Sequence, residues 1–237
     1  MKFYRSLKPI KAMTFDLDDT LYDNRPVIRQ LEKQMQAWMH KQHPISVTQS
    51  PQWWFELKQS LAKRDPWLRH DVTLWRQRVI ETGLIQLGYE SQEARFAADD
   101  AITLALQWRS DFEVPQETHR VMAQLAQRYP LVAITNGNVD AERIGLAGYF
   151  LQVLKAGDDG CAKPHRDMFD KACQHLRLPA HHILHVGDHL LTDVQGALNN
   201  GFQACWYNDQ PVNLRTAHRA RQLPHVEIHQ LADLLAF

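Results

Sequence analysis

Cysteine is scarce in this 237-residue chain. Cys161, Cys173 and Cys205 are too few for a disulfide framework and lack the paired spacing of a thiolate metal site. Net charge is absent as well, with 27 Lys and Arg against 27 Asp and Glu. That removes the electrostatic footprint of a dedicated nucleic-acid or anionic-membrane binder. No apolar run approaches the roughly 18 residues of a membrane span. The start, Met1-Lys2-Phe3-Tyr4-Arg5 with Lys8 and Lys11 behind it, has no apolar signal-peptide core. Internal repeats and low-complexity tracts are also missing. These absences point to a cytoplasmic protein with no nucleic-acid, membrane or obligate protein partner. What is present is 44 % hydrophobic content, enough for a substantial core.

Four short β-prone segments recur along the chain: Lys11 to Phe15, Leu131 to Ile134, His182 to Val186 and Phe202 to Trp206. Helical patterns alternate with them. Pro115 precedes Val121, Leu125 and Ala126, Pro164 precedes Met168, Phe169 and Ala172, and Asp193 to Leu198 stops near Gly201. This alternation predicts an α/β fold with a Rossmann-like, doubly wound parallel sheet.

Residues 22–108 read differently, as four helices and no strand. Ile28, Leu31, Met35 and Trp38 follow Pro26, and Trp54, Leu57 and Leu61 follow the cap pair Ser50-Pro51. Val72, Trp75 and Val79 follow Asp71, and Ala97, Ala101, Leu104, Ala105 and Trp108 follow Ser91. The expected organisation is a catalytic core of residues 1–21 and 109–237 with an α-helical insert between them. The insert holds six of the seven tryptophans. Trp38, Trp54, Trp75 and Trp108 fall on apolar faces and read as core, whereas Trp53 and Trp67 lie off those faces and are candidates for stacking on a planar ring.

The chemistry-bearing residues cluster at strand ends. Asp16-Leu17-Asp18-Asp19-Thr20 closes the first segment, where carboxylates can serve as nucleophile, proton shuttle and magnesium ligand. Ile134-Thr135-Asn136-Gly137 brings groups that hydrogen-bond phosphoryl oxygens. Lys163-Pro164 supplies an ammonium just before a helix, suited to developing negative charge. His185-Val186-Gly187-Asp188 followed by Asp193 adds two more carboxylates.

In this order the four segments resemble the motifs of the haloacid dehalogenase-like hydrolase superfamily, from Lys11 to about Trp206, and the helical insert resembles its C1 cap. Phe15 to Pro26, His70-Asp71-Val72-Thr73 and Pro130 to Asn138 are further similar to bacterial phosphatases of that superfamily acting on flavin mononucleotide (FMN) and 5-amino-6-(5-phospho-D-ribitylamino)uracil. The resemblance implies a magnesium-dependent phosphomonoester hydrolase of the riboflavin pathway, working on a small phosphorylated metabolite through an aspartyl-phosphate. Asp16 would be the nucleophile and Asp18 the acid/base. Asp16, Asp188 and the Asp18 backbone carbonyl would hold the metal. Thr135, Asn136 and Lys163 would bind phosphoryl oxygens, Asp193 would orient Lys163 or a metal-bound water, and Arg25 would reach substrate. His189 departs from the small polar or acidic residue of many relatives, and a histidine there would help Mn2+ or Co2+ substitute for magnesium. A phosphomutase shares the same residues, and a catalytically idle scaffold would be expected to have lost some of them.

Overall fold

The computed structural model describes every residue except Pro211, Arg215, His218 and Arg219. Its elements in chain order are β1 (Lys2–Phe3), β2 (Ala12–Phe15), α1 (Asn24–Gln42), α2 (Pro51–Arg64), α3 (Val72–Gln86), α4 (Ser91–Arg109), α5 (Gln116–Ala126), β3 (Leu131–Thr135), β4 (Gln152–Lys155), α6 (Asp167–Leu176), β5 (Ile183–Gly187), α7 (Gly196–Asn199), β6 (Gln203–Tyr207) and β7 (Val226–Ile228). They divide into two units. One is Met1–Asn24, Glu113–Gly137 and Ala141–Phe237, and the other is Arg25–Phe112 with Asn138–Asp140.

The first unit is a seven-stranded sheet in the order β1-β7-β6-β5-β2-β3-β4, parallel except for the antiparallel β1–β7 pair. β2, β3 and β5 are buried along their whole length, as expected of strands covered on both faces. β2 lies between β5 and β3, with Phe15 opposite both Val186 and Ala133. The chain therefore winds outward from β2 in two directions and leaves a crevice at the carboxyl ends of these strands. Three strands escape sequence analysis. β1, β4 and β7 have two to four residues each, too few to develop an alternating pattern.

Two crossover helices start elsewhere than the sequence suggests. α6 begins at Asp167, not at Pro164. The segment expected to become helical at Asp193 begins instead with a π-helical turn, Leu190–Gln195. Both Asp193 N–H and Val194 N–H donate to His189 O. This wide turn faces Asp193 inward, and such turns recur at functional sites.

The second unit is the four helices α1 to α4. Ser50 Oγ accepts from Trp53 N–H and Asp71 Oδ1 from Leu74 N–H, satisfying N-terminal donors of α2 and α3. α4 is capped at Glu90 with no side-chain bond, so Ser91 lies inside the helix and is not its cap. Its buried stripe of Ala94, Ala97, Ala98, Ala101 and Ala105 packs with Leu31, Met35, Met39, Ile80 and Leu84. α3 turns a different face inward from the one its valines suggest. Ile80, Gly83 and Leu84 are buried, Val72 is exposed, and a Cβ on Gly83 would collide with the Trp54 ring. Trp38, Trp54 and Trp108 pack on this core. Trp75 donates Nε1–H to Lys58 O, Trp53 meets Trp54 edge to face, and Trp67 is exposed beside His70.

Candidate active site

The carboxyl ends of β2, β3 and β5 open into a cleft of about 200 Å³. Asp16, Asp18, Thr135, Asn136, Lys163, Asp188 and Asp193 all line it, joined by Asp19, Gly137, His189 and Thr192. Arg25 belongs to the helical unit, of which it is the first residue.

Lys163 is the centre of the arrangement. It is 3 % exposed, and its Nζ donates to Asp16 Oδ1, Asp193 Oδ1 and Ile134 O, each at 2.6 Å. All three ammonium hydrogens are thereby used. Burial disfavours the ammonium, but the charges of Asp16 and Asp193 outweigh it and raise the Lys163 pKa. The Lys163 backbone is held by Asn136, whose Oδ1 accepts from Lys163 N–H at 2.7 Å and whose Nδ2 donates to Lys163 O at 3.0 Å. Asn136 thus serves chiefly as a clamp on the lysine and keeps one amide hydrogen for a ligand. Thr135 Oγ1 accepts from Gly137 N–H at 2.9 Å, and its own proton can still be donated.

Asp18 accepts from Tyr22 Oη at 2.5 Å, and a Cβ on Gly137 would collide with Asp18 Oδ2. The glycine therefore makes room for this carboxylate. Asp19 turns the chain between Asp18 and Thr20 in the left-handed region, at φ 59°, a conformation Asp tolerates better than most residues. Its Oδ1 accepts from Asn24 N–H. Thr20 Oγ1 lies 3.4 Å from Asp16 Oδ2 and 3.5 Å from Asp188 Oδ1, and accepts from Asp188 N–H at 3.1 Å. His189 Nδ1 accepts from Thr192 N–H at 3.1 Å. That nitrogen caps the π-helical turn.

Five carboxylates face one ammonium in this cleft. Burial lifts the Asp16 pKa well above its ordinary value; Lys163 opposes the shift, and Asp193, Asp188 and Asp18 add to it. Asp188 is pushed up to about 7, first by burial and then by Asp193 and Asp19. For Asp193 burial acts upward, but Lys163 and the His185 hydrogen bond prevail and hold the carboxyl well below its usual range. The surplus of buried negative charge fits a hard divalent cation. Carboxylate oxygens of Asp16, Asp188 and Asp193 lie within 4.8 Å of one another, and oxygen donors suit magnesium. Asp193 is committed to Lys163 and His185, which leaves Asp16 and Asp188 as the side-chain ligands such an ion would use.

Sequence analysis missed Tyr22, Thr20, Thr192 and His185. Thr14 and His185, polar residues within otherwise apolar strands, were the signal for the last of these.

A parallel sheet whose strand ends gather carboxylates around one buried lysine defines an α/β enzyme built to handle an anionic group. The model of the haloacid dehalogenase-like hydrolases matches residues 10–201, and the chain belongs to that family and is a phosphatase. It is 45 % identical over 234 residues to the Escherichia coli (strain K12) 5-amino-6-(5-phospho-D-ribitylamino)uracil phosphatase YigB, covering 99 % of this chain and 98 % of that one. A crystal structure described as a 2-haloacid dehalogenase from Pseudomonas syringae pv. Tomato DC3000 superimposes with a TM-score of 0.89 at 37 % identity, covering 95 % of this chain and 96 % of that one. A HAD phosphatase from Thermococcus onnurineus gives a TM-score of 0.66 at 23 % identity, covering 95 % and 96 %, and shares the fold.

Proposed function

We propose that this phosphatase is a magnesium-dependent phosphomonoester hydrolase acting through an aspartyl-phosphate on Asp16. Its substrate is 5-amino-6-(5-phospho-D-ribitylamino)uracil, with FMN as a second ester of the same ribityl phosphate type. The observation that carries the reading is the pairing of two differently equipped carboxylates. Asp16 is tied to Lys163 at 2.6 Å, whereas Asp18, two residues on, is held by Tyr22.

In the first step an Asp16 oxygen attacks phosphorus while the ester P–O bond breaks, and Asp18 gives its proton to the departing alkoxide. In the second, Asp18 takes a proton from the attacking water, the aspartyl P–O bond breaks and free phosphate leaves. Lys163 orients Asp16 throughout. Thr135 Oγ1–H and the remaining Asn136 amide hydrogen are donors for phosphoryl oxygens. A bound magnesium ion, held by Asp16, Asp188 and the Asp18 backbone carbonyl, would supply positive charge against the repulsion between carboxylate and phosphate.

A cleft of about 200 Å³ is smaller than the roughly 300–1,000 Å³ typical of whole-ligand pockets. It takes the phosphoryl end, and choice among esters falls to residues elsewhere. Residues 22–108 are assigned as the C1 cap on the family resemblance, with Arg25, Trp53 and Trp67 as its candidates for substrate contact. The likeness to a structure described as a dehalogenase raises a second reading. Halide departs without a proton, so dehalogenation gives an acid at Asp18 no work in the first step. Comparing catalytic efficiency on the ribitylaminouracil phosphate, FMN, sugar phosphates, nucleotides and 2-chloropropionate tests both readings. The ribityl phosphates should lead, and chloride release without phosphate release would overturn the proposal. Phosphate release in water without a sugar-bisphosphate activator separates hydrolysis from mutase activity.

A further inference from the structure

Behind the cleft, β5 carries one polar side chain among apolar neighbours. His185 is 1 % exposed, and its ring is pinned on three sides. Nδ1 lies 2.9 Å from Thr14 Oγ1, Nε2 lies 3.2 Å from Asp193 Oδ1, and Phe169 packs edge-on at 5.3 Å between ring centroids. The sheet dictates this placement. Thr14 and His185 are register partners on β2 and β5, so both point to one face, the face that Asp16 and Gly187 take two residues later. Gly187 has no side chain to intervene, and a Cβ there would collide with the Asp193 carboxylate. His185 Nε2 therefore looks directly onto Asp193, beside Gly187.

We propose that His185 is a positioning residue for the reaction: its Nε2–H donates to Asp193 Oδ1 and fixes the oxygen that holds Lys163 against Asp16. The inference rests on the reading of Lys163 and Asp16 as members of the reacting site. Its first support is the chemistry of the acceptor. An ionised carboxylate only accepts hydrogen bonds, so the nitrogen facing it carries the proton. The neutral ring then has Nδ1 as an acceptor, filled by the Thr14 hydroxyl. The second support is that the other donors to Asp193 divide unevenly: Oδ2 accepts from His189 N–H at 3.0 Å and from Thr192 Oγ1 at 3.5 Å, whereas Oδ1 has Lys163 besides His185. Without His185 the side of Oδ1 away from Lys163 faces the apolar packing around Phe169. The carboxylate is then able to rotate, and the ammonium moves with it. Thr14, His185, Asp193, Lys163 and Asp16 thus form one hydrogen-bonded chain from the middle of the sheet to the Asp16 carboxylate.

Three substitutions separate positioning from packing. His185→Leu removes both ring nitrogens. His185→Gln places an amide N–H where Nε2 stood, and His185→Asn reaches only the Nδ1 position. Turnover of p-nitrophenyl phosphate with magnesium should fall about 10- to 100-fold in kcat for the leucine variant, the usual range for loss of a hydrogen bond behind a site, with KM changed by less than about threefold. The glutamine variant should recover to within about fivefold of wild type and the asparagine variant should not. Equal kcat for Gln and Asn, or wild-type kcat per folded molecule in all three, would overturn the proposal. If the leucine variant does not fold, the Gln/Asn contrast decides alone. A readout independent of activity is nitrogen-15 NMR of the His185 ring, which should show the proton on Nε2, and a neutral ring with its proton on Nδ1 refutes the assignment. If wild-type enzyme released no phosphate from any ester, the functional reading would fall, and the ring tautomer would still decide what His185 does.

Discussion

Asp188→Asn should stabilise the metal-free protein while destroying its activity. Asp188 titrates at about 7 in the fold, against 3.8 for an ordinary aspartate, because burial and then the charges of Asp193 and Asp19 disfavour its ionised form. Below 3.8 the carboxyl is protonated in both folded and unfolded chains and nothing is lost. Between 3.8 and about 7 the unfolded chain binds fewer protons than the folded one, so stability falls as pH rises. Above that the full difference, about 4 kcal/mol at about 1.4 kcal/mol per pH unit, works against the folded state. An amide of nearly the same shape has no such penalty, and its carbonyl oxygen can still accept from Thr20. Allowing for relaxation around the charged form, the variant should gain about 2 kcal/mol near pH 8 in chelator, or about 4–8 °C in Tm for a chain of this size. The gain should vanish near pH 4. Magnesium should stabilise the wild type by about 2.7 kcal/mol at a hundred times its Kd and leave the variant unmoved, cancelling or reversing the order. Thermal denaturation of both proteins across pH, with chelator and with magnesium, checks this. A variant less stable than wild type near pH 8 in chelator, or equally stabilised by magnesium, would refute the reasoning.

The other predictions concern the cleft. Asp18→Asn should slow the first step far more for a ribityl phosphate than for p-nitrophenyl phosphate, whose leaving group needs no proton, and should give a burst of phenol followed by slow turnover; equal loss on both esters without a burst counts against Asp18 as acid/base. Gly187→Ala should push Asp193 out of its contact with Lys163 and lower stability by about 1–3 kcal/mol, read as a Tm drop of about 2–12 °C together with a loss of kcat. Gly137→Ala should displace Asp18, and in single-turnover assays its damage should resemble that of Asp18→Asn. Chelation should abolish turnover and magnesium should restore it, measured as phosphate release.

The central strands were legible because a strand buried on both faces must be an apolar run, as Leu131 to Ile134 and Ile183 to Val186 nearly are. β1, β4 and β7 were not, since two to four residues carry too little pattern. Ser50 and Asp71 announced α2 and α3 because a helix start needs acceptors for its free N–H groups. The face of α3 was misread for the opposite reason. Its decisive residue is Gly83, whose contribution is the space it leaves for Trp54, and periodicity does not register space. Asp16, Asp18 and Asp188 could be nominated because strand ends in a parallel sheet converge on one crevice, and Lys163 and Asp193 because they complete, in order, the motifs of the family the chain resembles. Their internal bonding could not. The turn of the Asn136 amide toward the Lys163 backbone, the hydroxyl of Tyr22 on Asp18 and the His185 contact with Asp193 depend on register and on the π-helical turn at Leu190–Gln195, neither of which local sequence encodes.

Covalent chemistry at Asp16 is the claim on which the mechanism stands, and acid quench tests it directly. Enzyme is mixed with magnesium and ribitylaminouracil phosphate radiolabelled at phosphorus, stopped within a single turnover, digested and mapped. The account predicts label on the peptide containing Asp16, lost on treatment with hydroxylamine and absent from Asp16→Asn. Full phosphate release by the wild type with no protein-bound label at any time, in Asp18→Asn as well, would contradict it and replace the aspartyl-phosphate with direct attack by water.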